Sequence, residues 1–233
     1  MKKLTKIILG LPIVSAFLLT GCDSIAGMIS GLIPNKDDES GDRSSSQVST
    51  EDDWSPNEEV NKLKELGETE GFEITLVYTS SEEDVTNKEI SIGIKDNVSW
   101  LIVDNLLQAY RLNDDQTISM AMDDGSGDGY VWYNIGSNVN YEQIENELID
   151  NFYIADGYRD YLEKRRDTTF IGRPASVYYY DGNIEGYVTL GAVIDKELGI
   201  VLKWEAHSSI DFLFEVTSFK IGNQANIPEV AEE

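Results

Sequence analysis

The stretch Phe72-Glu73-Ile74-Thr75-Leu76-Val77-Tyr78-Thr79 decides how this chain folds. Phe72, Ile74, Leu76 and Tyr78 alternate with Glu73, Thr75, Val77 and Thr79. A repeat of two is the period of a β-strand, whose successive side chains point to opposite faces; a helix would scatter the same residues around its axis. The period returns at Ile90-Ile92-Ile94, Val98-Trp100-Ile102, Ile118-Met120-Met122 and Tyr130-Trp132. Polar clusters at 80–87, 96–97, 113–116 and 123–129 separate these runs. Such gaps suit hairpins and are too short for parallel crossovers. The alternation predicts antiparallel strands with one face on a core and the other toward water.

Two helical patches follow. Asn140 is an N-cap candidate with Gln143 three residues on, and Tyr141, Ile144, Leu148 and Phe152 share one helical face. Tyr158, Tyr161, Leu162 and Arg165 predict a second, shorter helix. Strands resume at 168–171, 175–180, 187–194, 200–204 and 212–221. Asp195-Lys196-Glu197-Leu198-Gly199 reads as a tight hairpin with glycine at a left-handed position. The apolar phase of the last strand slips between Phe212-Phe214-Val216 and Phe219-Ile221, which a bulge near Thr217-Ser218 explains. The fold class is therefore α+β, a large curved antiparallel sheet of about 10–11 strands. So many strands in one sheet must curl, and helices packed on the concave side would fill it.

Upstream, Ser55-Pro56-Asn57-Glu58 has the hydroxyl, proline and acid of a capped helix start, Val60, Leu63 and Leu66 line one face, and Gly67 supplies a stop. Before it, residues 35–59 hold nine acids and six serines against Lys36 and Arg43. With little apolar surface to offset ordering entropy, most of this segment reads as a solvated spacer. Ile25, Met28, Ile29, Leu32 and Ile33 form a stripe at helical spacing, which an interfacial helix would use and which Gly27, Gly31 and Pro34 oppose. The chain opens with Lys2, Lys3 and Lys6, then a 13-residue apolar run from Ile7 to Leu19 containing Pro12. That run is short of the ~20 residues needed to span a bilayer, and it has the form of a secretory signal peptide.

Leu19-Thr20-Gly21-Cys22, directly after the apolar run, resembles the lipobox of bacterial lipoproteins. The resemblance implies diacylglycerol on the Cys22 thiol and cleavage before it. Residues 1–21 would be a signal peptide, 22–54 a lipidated cysteine and acidic tether, and 55–230 one folded domain. Asp23 resembles the inner-membrane retention signal of some Gram-negative bacteria. Over residues 70–228, the meander, the mid-chain helices, the stretch from Val193-Ile194-Asp195-Lys196-Glu197-Leu198-Gly199 through Lys203, and Phe214–Phe219 resemble lipoproteins with the LolA/LolB-like half-barrel. Leu198 stands where that family's hairpin commonly has threonine. The resemblance implies an apolar cavity for acyl chains between the concave sheet and a helical lid.

Composition removes several functions. Across 233 residues, 18 Lys+Arg face 43 Asp+Glu for a net charge of −25, a field that repels phosphate backbones and excludes a nucleic-acid partner. Cys22 and His207 are each the only residue of their kind, so zinc, iron–sulfur and disulfide frameworks are out. No cofactor is expected. Asp124-Gly125-Ser126-Gly127-Asp128-Gly129 opens like a calcium loop, but Ile135 stands where its closing glutamate belongs, and a glycine-rich hairpin turn explains the run without metal. His207, with Ser208, Ser209 and Asp211 nearby, lacks a nucleophile-elbow motif, and a histidine at a hairpin rim accounts for it. No enzymatic activity is expected.

Ten of the 12 tyrosines lie between Tyr130 and Tyr187. Tyr130, Trp132, Tyr158, Tyr161, Tyr178 and Tyr180 are the candidate ligand-contacting residues, apolar in body with polar tips. Strand-face packing is the competing use of such residues. Lys164, Arg165 and Arg166, with Arg159 and Arg173, could receive an anionic headgroup, or pair with the interleaved Asp160, Glu163 and Asp167 on a helix surface. The expected partners are the membrane, through Cys22, and a lipid or lipopeptide. The alternative is a non-catalytic subunit of an envelope complex or a sensor, with a filled core.

Overall fold

The computed structural model describes residues 56–81, 85–123, 125, 129–153, 162–180, 187–208 and 211–232. Helix α1 (Pro56–Thr69) precedes strands β1 (Phe72–Ser80), β2 (Val85–Lys95), β3 (Val98–Val103), β4 (Leu106–Leu112), β5 (Ile118–Asp123) and β6 (Tyr130–Gly136). Helix α2 (Tyr141–Ile149) runs into a 3-10 turn (Asp150–Phe152). Then come β7 (Glu163–Phe170), β8 (Arg173–Tyr180), β9 (Tyr187–Asp195), β10 (Val201–Ser208), β11 (Asp211–Ile221) and a second 3-10 turn (Gly222–Gln224). All 11 strands form one sheet in the order β6-β5-β4-β3-β2-β1-β11-β10-β9-β8-β7, every pair antiparallel. The sheet is open and curved, with β6 and β7 at its edges. Chain neighbours are sheet neighbours throughout each half, and β11 closes the path by pairing with β1.

Turn chemistry explains why this path needs so little connecting chain. The β2–β3 and β3–β4 hairpins turn on Asp96-Asn97 and Asp104-Asn105, all four with φ between 52° and 65°. Asp and Asn tolerate this left-handed region, and two such residues in succession match the twist of a hairpin. At the β9–β10 turn Gly199 takes φ +67°, as the hairpin reading requires. The Asp195 carboxylate accepts from the backbone N–H of Glu197 and Leu198 at 2.9 and 2.8 Å. It is fully buried and paired to Arg173, whose guanidinium lies 4.8 Å over the Phe219 ring. Thr217 is the extra residue of a bulge, since Thr75 pairs Ser218 while Leu76 pairs Val216. Bulges of this kind increase local twist and curl the sheet.

Four expectations change. Helix α1 runs past Gly67 to Thr69. Gly67 is instead a packing position, where an added Cβ would sit 3.0 Å from Ile94, and the left-handed residue that ends the segment is Gly71 at φ +80°. Strand β4 has no counterpart in the sequence reading, because Leu106-Leu107-Gln108-Ala109 does not alternate and Leu106 is exposed. Residues 163–167 form the start of edge strand β7, not the end of a helix. Their charged side chains are exposed while the backbone pairs with β8, a composition that blunts a sheet edge against pairing with other chains.

The fourth change concerns the two faces. Ser99 pairs Ile94, which pairs Phe72, so these share a face with Ile74, Ile92 and Leu101. Ser99 Oγ donates to Tyr141 Oη of α2 at 2.7 Å, which makes this the helix face. Leu63, Phe72, Ile74, Leu76, Ile94, Leu148, Ile149 and Phe152 are all at most 4% exposed, a filled core at that end. Trp100, one residue on, points to the other side, where Val98, Trp100, Ala109, Ala121 and Trp132 form a second core. The sheet is therefore apolar on both faces here, and the face expected to meet water is covered. Its cover is the segment after β11, whose Ile227 and Val230 pack on that cluster. Lys95 Nζ donates to Gly222 O and Ala225 O, both at 2.9 Å, and Ala231 makes a parallel bridge to Val131 on edge strand β6. From its 3-10 turn, held at Lys95 of β2, the strap has four inter-strand spacings to cross, about 19 Å, and residues 225–231 supply about 23 Å of extended chain. No described helix is long and apolar enough to cross a membrane.

Candidate functional site

The six candidate aromatic residues do not converge. Tyr130 and Trp132 lie on the strap face. The Tyr130 hydroxyl accepts from Leu107 N–H at 2.9 Å. Trp132 is 6% exposed beneath Arg111, whose guanidinium is 4.7 Å from its ring and is held by Glu232 through two hydrogen bonds of 2.6 and 3.0 Å. Both residues thus carry structural contacts. Tyr178 lies on the helix face, because it pairs Ala192, which pairs Trp204, which pairs Phe214, which pairs Tyr78. Phe214 in turn meets Phe152 edge-on with ring centroids 5.8 Å apart. Tyr180 ends β8, and its side chain lies outside the described residues, as do Tyr158, Tyr161 and Cys22.

Two features of the helix face have the makings of a site. The first is this row. Tyr178, Ala192, Trp204, Phe214 and Tyr78 run in register across five adjacent strands, β8 to β1, and give an apolar floor one residue wide and about 19 Å long. Ile194 and Val216 continue the apolar surface beside it and are buried. Tyr78, Ala192, Trp204 and Phe214 are each at most 6% exposed, so the row is covered, and an extended hydrocarbon could lie along it only where that cover moves aside.

The second is an open cleft of about 460 Å³ where α1 and α2 meet the β4–β5 end of the sheet. Leu112, Ile118 and Val139 give its apolar wall, and Gln116 and Asn140 its neutral polar rim. Asn140 caps α2 as expected, its Oδ1 accepting from Glu142 N–H at 3.1 Å. Lys64 of α1 bridges to Glu142 of α2 at 2.7 Å. Their hydrogen bond raises the lysine's pKa and lowers the carboxyl's. Glu145 lines the same cleft and is 7% exposed. Burial is the main cause that pushes its carboxyl up to about 7, with Glu68 and Glu142 adding repulsion and Lys64 opposing. Tyr141, buried beside it, is also raised by desolvation.

Sequence reasoning assigned Ile144 to the buried stripe of α2 and passed over Glu145, yet Ile144 is only half-buried. The signal was present: Glu145 is four residues from Tyr141, three from Leu148 and four from Ile149, all buried. Gln143 does not reach back to the cap but donates to Glu147 at 2.9 Å.

On the strap face a further cleft of about 430 Å³ is lined by Arg111, Asn113, Asp115, Thr117, Trp132 and Asn134, among others. Its polar groups satisfy one another. Asn113 and Asn134 both donate to Thr117 Oγ1 at 2.9 Å, and Thr117 donates to Asp115 at 2.6 Å. Of the basic cluster, Lys164 pairs with Asp167 at 3.2 Å and Arg165 with Glu163 at 3.4 Å, while Arg173 is spent on Asp195 and Glu197. Hydrogen bonds from Lys196, Ser176 and Lys164 hold the Asp167 carboxyl down at about 2. The Asp124–Asp128 run is outside the described residues except Gly125, and no described group of three acids, histidines or cysteines is placed to hold a metal. His207 lies in β10 opposite Asp211, and its side chain is not among those described.

No protein-family model matches the chain, and no curated protein matches it. Among solved structures, it is similar to MucB in complex with MucA(peri), at 14% identity and a TM-score of 0.33. That match covers 74% of this chain and 57% of the other, so the chain spans little more than half of MucB's length. It is similar to LprF from Mycobacterium bovis, at 8% identity, TM-score 0.33, over 76% of this chain and 98% of that one. A LolA superfamily protein from Nitrosomonas europaea matches at 9% identity, TM-score 0.25, over 75% and 96%. At scores this low none of these likenesses bears on what the chain binds; strand order and register alone define its fold.

Proposed function

We propose that this chain is a non-enzymatic lipoprotein, anchored outside the cytoplasm through acylated Cys22, that holds a lipid or lipopeptide against the helix face of its sheet. Residues 1–21 act as the signal peptide, 22–54 as the tether and 55–230 as the binding domain. The observation that carries the reading is the uncharged floor Tyr178-Ala192-Trp204-Phe214-Tyr78. Four of its five residues are at most 6% exposed, so an acyl chain has to take the place of what covers the row, and the gain, about 25 cal/mol for each Å² of apolar surface removed from water, comes from the chain's own surface. Phe152, at the end of the short α2 segment, meets the floor at Phe214, so movement of α2 would open one end of it. The sequence of the amino-terminal 22 residues supports the location.

Solvent extraction of purified protein lacking its own anchor, followed by lipid mass spectrometry, tests the reading. An amphiphile should co-purify with the wild type and be lost from Ala192→Trp, which fills the middle of the floor. Absence of any amphiphile from the wild type overturns it. A second reading, an interaction subunit with a filled core, is favoured by the packing under α1 and α2, where Leu63, Ile149 and Phe152 are fully buried. Empty wild-type protein together with retention of one envelope protein on the tethered chain would support that reading instead.

A further inference from the structure

We propose that the cleft between α1, α2 and the β4–β5 turn is a binding site for a small organic cation, an aliphatic amine with Glu145 as its counter-ion. The site is separate from the apolar floor and does not depend on it. Three observations converge on an amine.

The first is Glu145 itself. It is 7% exposed and lines the cleft, and none of the hydrogen bonds among the described residues reaches its carboxyl group. Its oxygens open onto the cleft rather than into the packed core, so a charge-assisted hydrogen bond from a ligand in the cleft can reach them and would offset the cost of ionising a carboxyl so largely shielded from water. Lys64, the nearest cation, is engaged with Glu142 at 2.7 Å.

The second is the charge of the surroundings. The charged groups facing Glu145 are Lys64 and Glu68 from α1 and Glu142 from α2 itself; the β4–β5 side contributes Gln116, Leu112 and Ile118, all neutral. Three carboxylates against one ammonium leave the cleft short of positive charge, within a protein whose overall field attracts cations.

The third is shape. Leu112, Ile118 and Val139 give an apolar wall opposite the carboxylates, so the ligand carries a hydrocarbon stem beside its charged head. At about 460 Å³ the cleft is the size of a small-molecule site and too small for a protein surface. Because the carboxyl must be ionised to hold an ammonium, protons compete with the ligand.

Titration calorimetry with n-butylamine and 1,4-diaminobutane at pH 6 and pH 8 is the test, with n-butanol as the neutral analogue. An amine stays fully charged across that range. Binding should tighten about tenfold from pH 6 to pH 8 as Glu145 ionises. It should weaken at least about tenfold in Glu145→Gln and lose its pH response. Glu68→Gln, on the exposed side of α1, should weaken binding less, and Glu229→Gln on the strap should leave it unchanged. Lack of amine binding at millimolar concentration overturns the proposal. So does equal binding of butanol, or unchanged affinity in a folded Glu145→Gln variant; should that variant not fold, an unaltered affinity in Glu68→Gln together with a flat pH response does the same.

Discussion

Gly93 stands opposite Trp100 across the β2–β3 ladder, and a Cβ built on it would lie 2.1 Å from the indole. The ring occupies the space a side chain would take, and Gly93→Ala has to displace the centre of the strap-face core. We expect a loss of at least about 3 kcal/mol in urea unfolding. Ile171 presents the opposite case. It holds φ 44° in the β7–β8 hairpin, next to Gly172 at 82°, and its side chain is exposed. A β-branched residue there is strained, so Ile171→Asn should stabilise by about 1 kcal/mol. Glu145 makes stability depend on pH. Its folded pKa, about 7, lies above the ordinary 4.5. The folded state therefore holds its proton more tightly, and the contribution of this group to stability is greatest below pH 4.5 and is lost as pH rises through 7. Glu145→Gln should remove that slope and, at pH 8, raise stability by on the order of 2 kcal/mol, read from denaturation at a series of pH values.

At the level of elements, the strands with strict alternation were legible, and so were the Asn140 cap, the Asp195–Gly199 turn and the Thr217 bulge. Each of those depends on neighbours in sequence. Strand β4 and the first half of β7, residues 163–167, were not legible because their pairing is set by what lies beside them. β4 is mostly half-buried, with only Ala109 fully buried and Leu106 exposed, and the start of β7 is a charged edge held by the backbone ladder with β8. The strap was missed for the same reason: Ile227-Pro228-Glu229-Val230 has no period, and only the sheet beneath gives it a conformation. Removing residues 227–233 should cost about 2–4 kcal/mol, from two apolar side chains and the Arg111–Glu232 pair, and expose Trp100 and Trp132 to quenching by iodide. Unchanged tryptophan accessibility would show that the strap is not their cover.

For the whole molecule, the instructive error is the assumption of one dry face. Phe72-Ile74 and Val98-Trp100 have the same alternation in sequence, but the two-residue turn at Asp96-Asn97 sets their phases so that one run faces the helices and the other the strap. Tyrosines grouped by sequence were consequently divided between faces: Tyr130 and Trp132 serve the strap-face core, and Tyr178 joins the helix-face floor. The fold class was readable from periodicity, whereas the site required knowing which face each strand turns inward. Photolabelling with a diazirine-bearing fatty acid, with modified residues mapped by peptide mass spectrometry, tests the central claim most directly. We predict adducts on Tyr178, Trp204 or Phe214 that unlabelled fatty acid displaces. Displaceable adducts confined to Trp100 and Trp132, or no displaceable adduct at all, would contradict it.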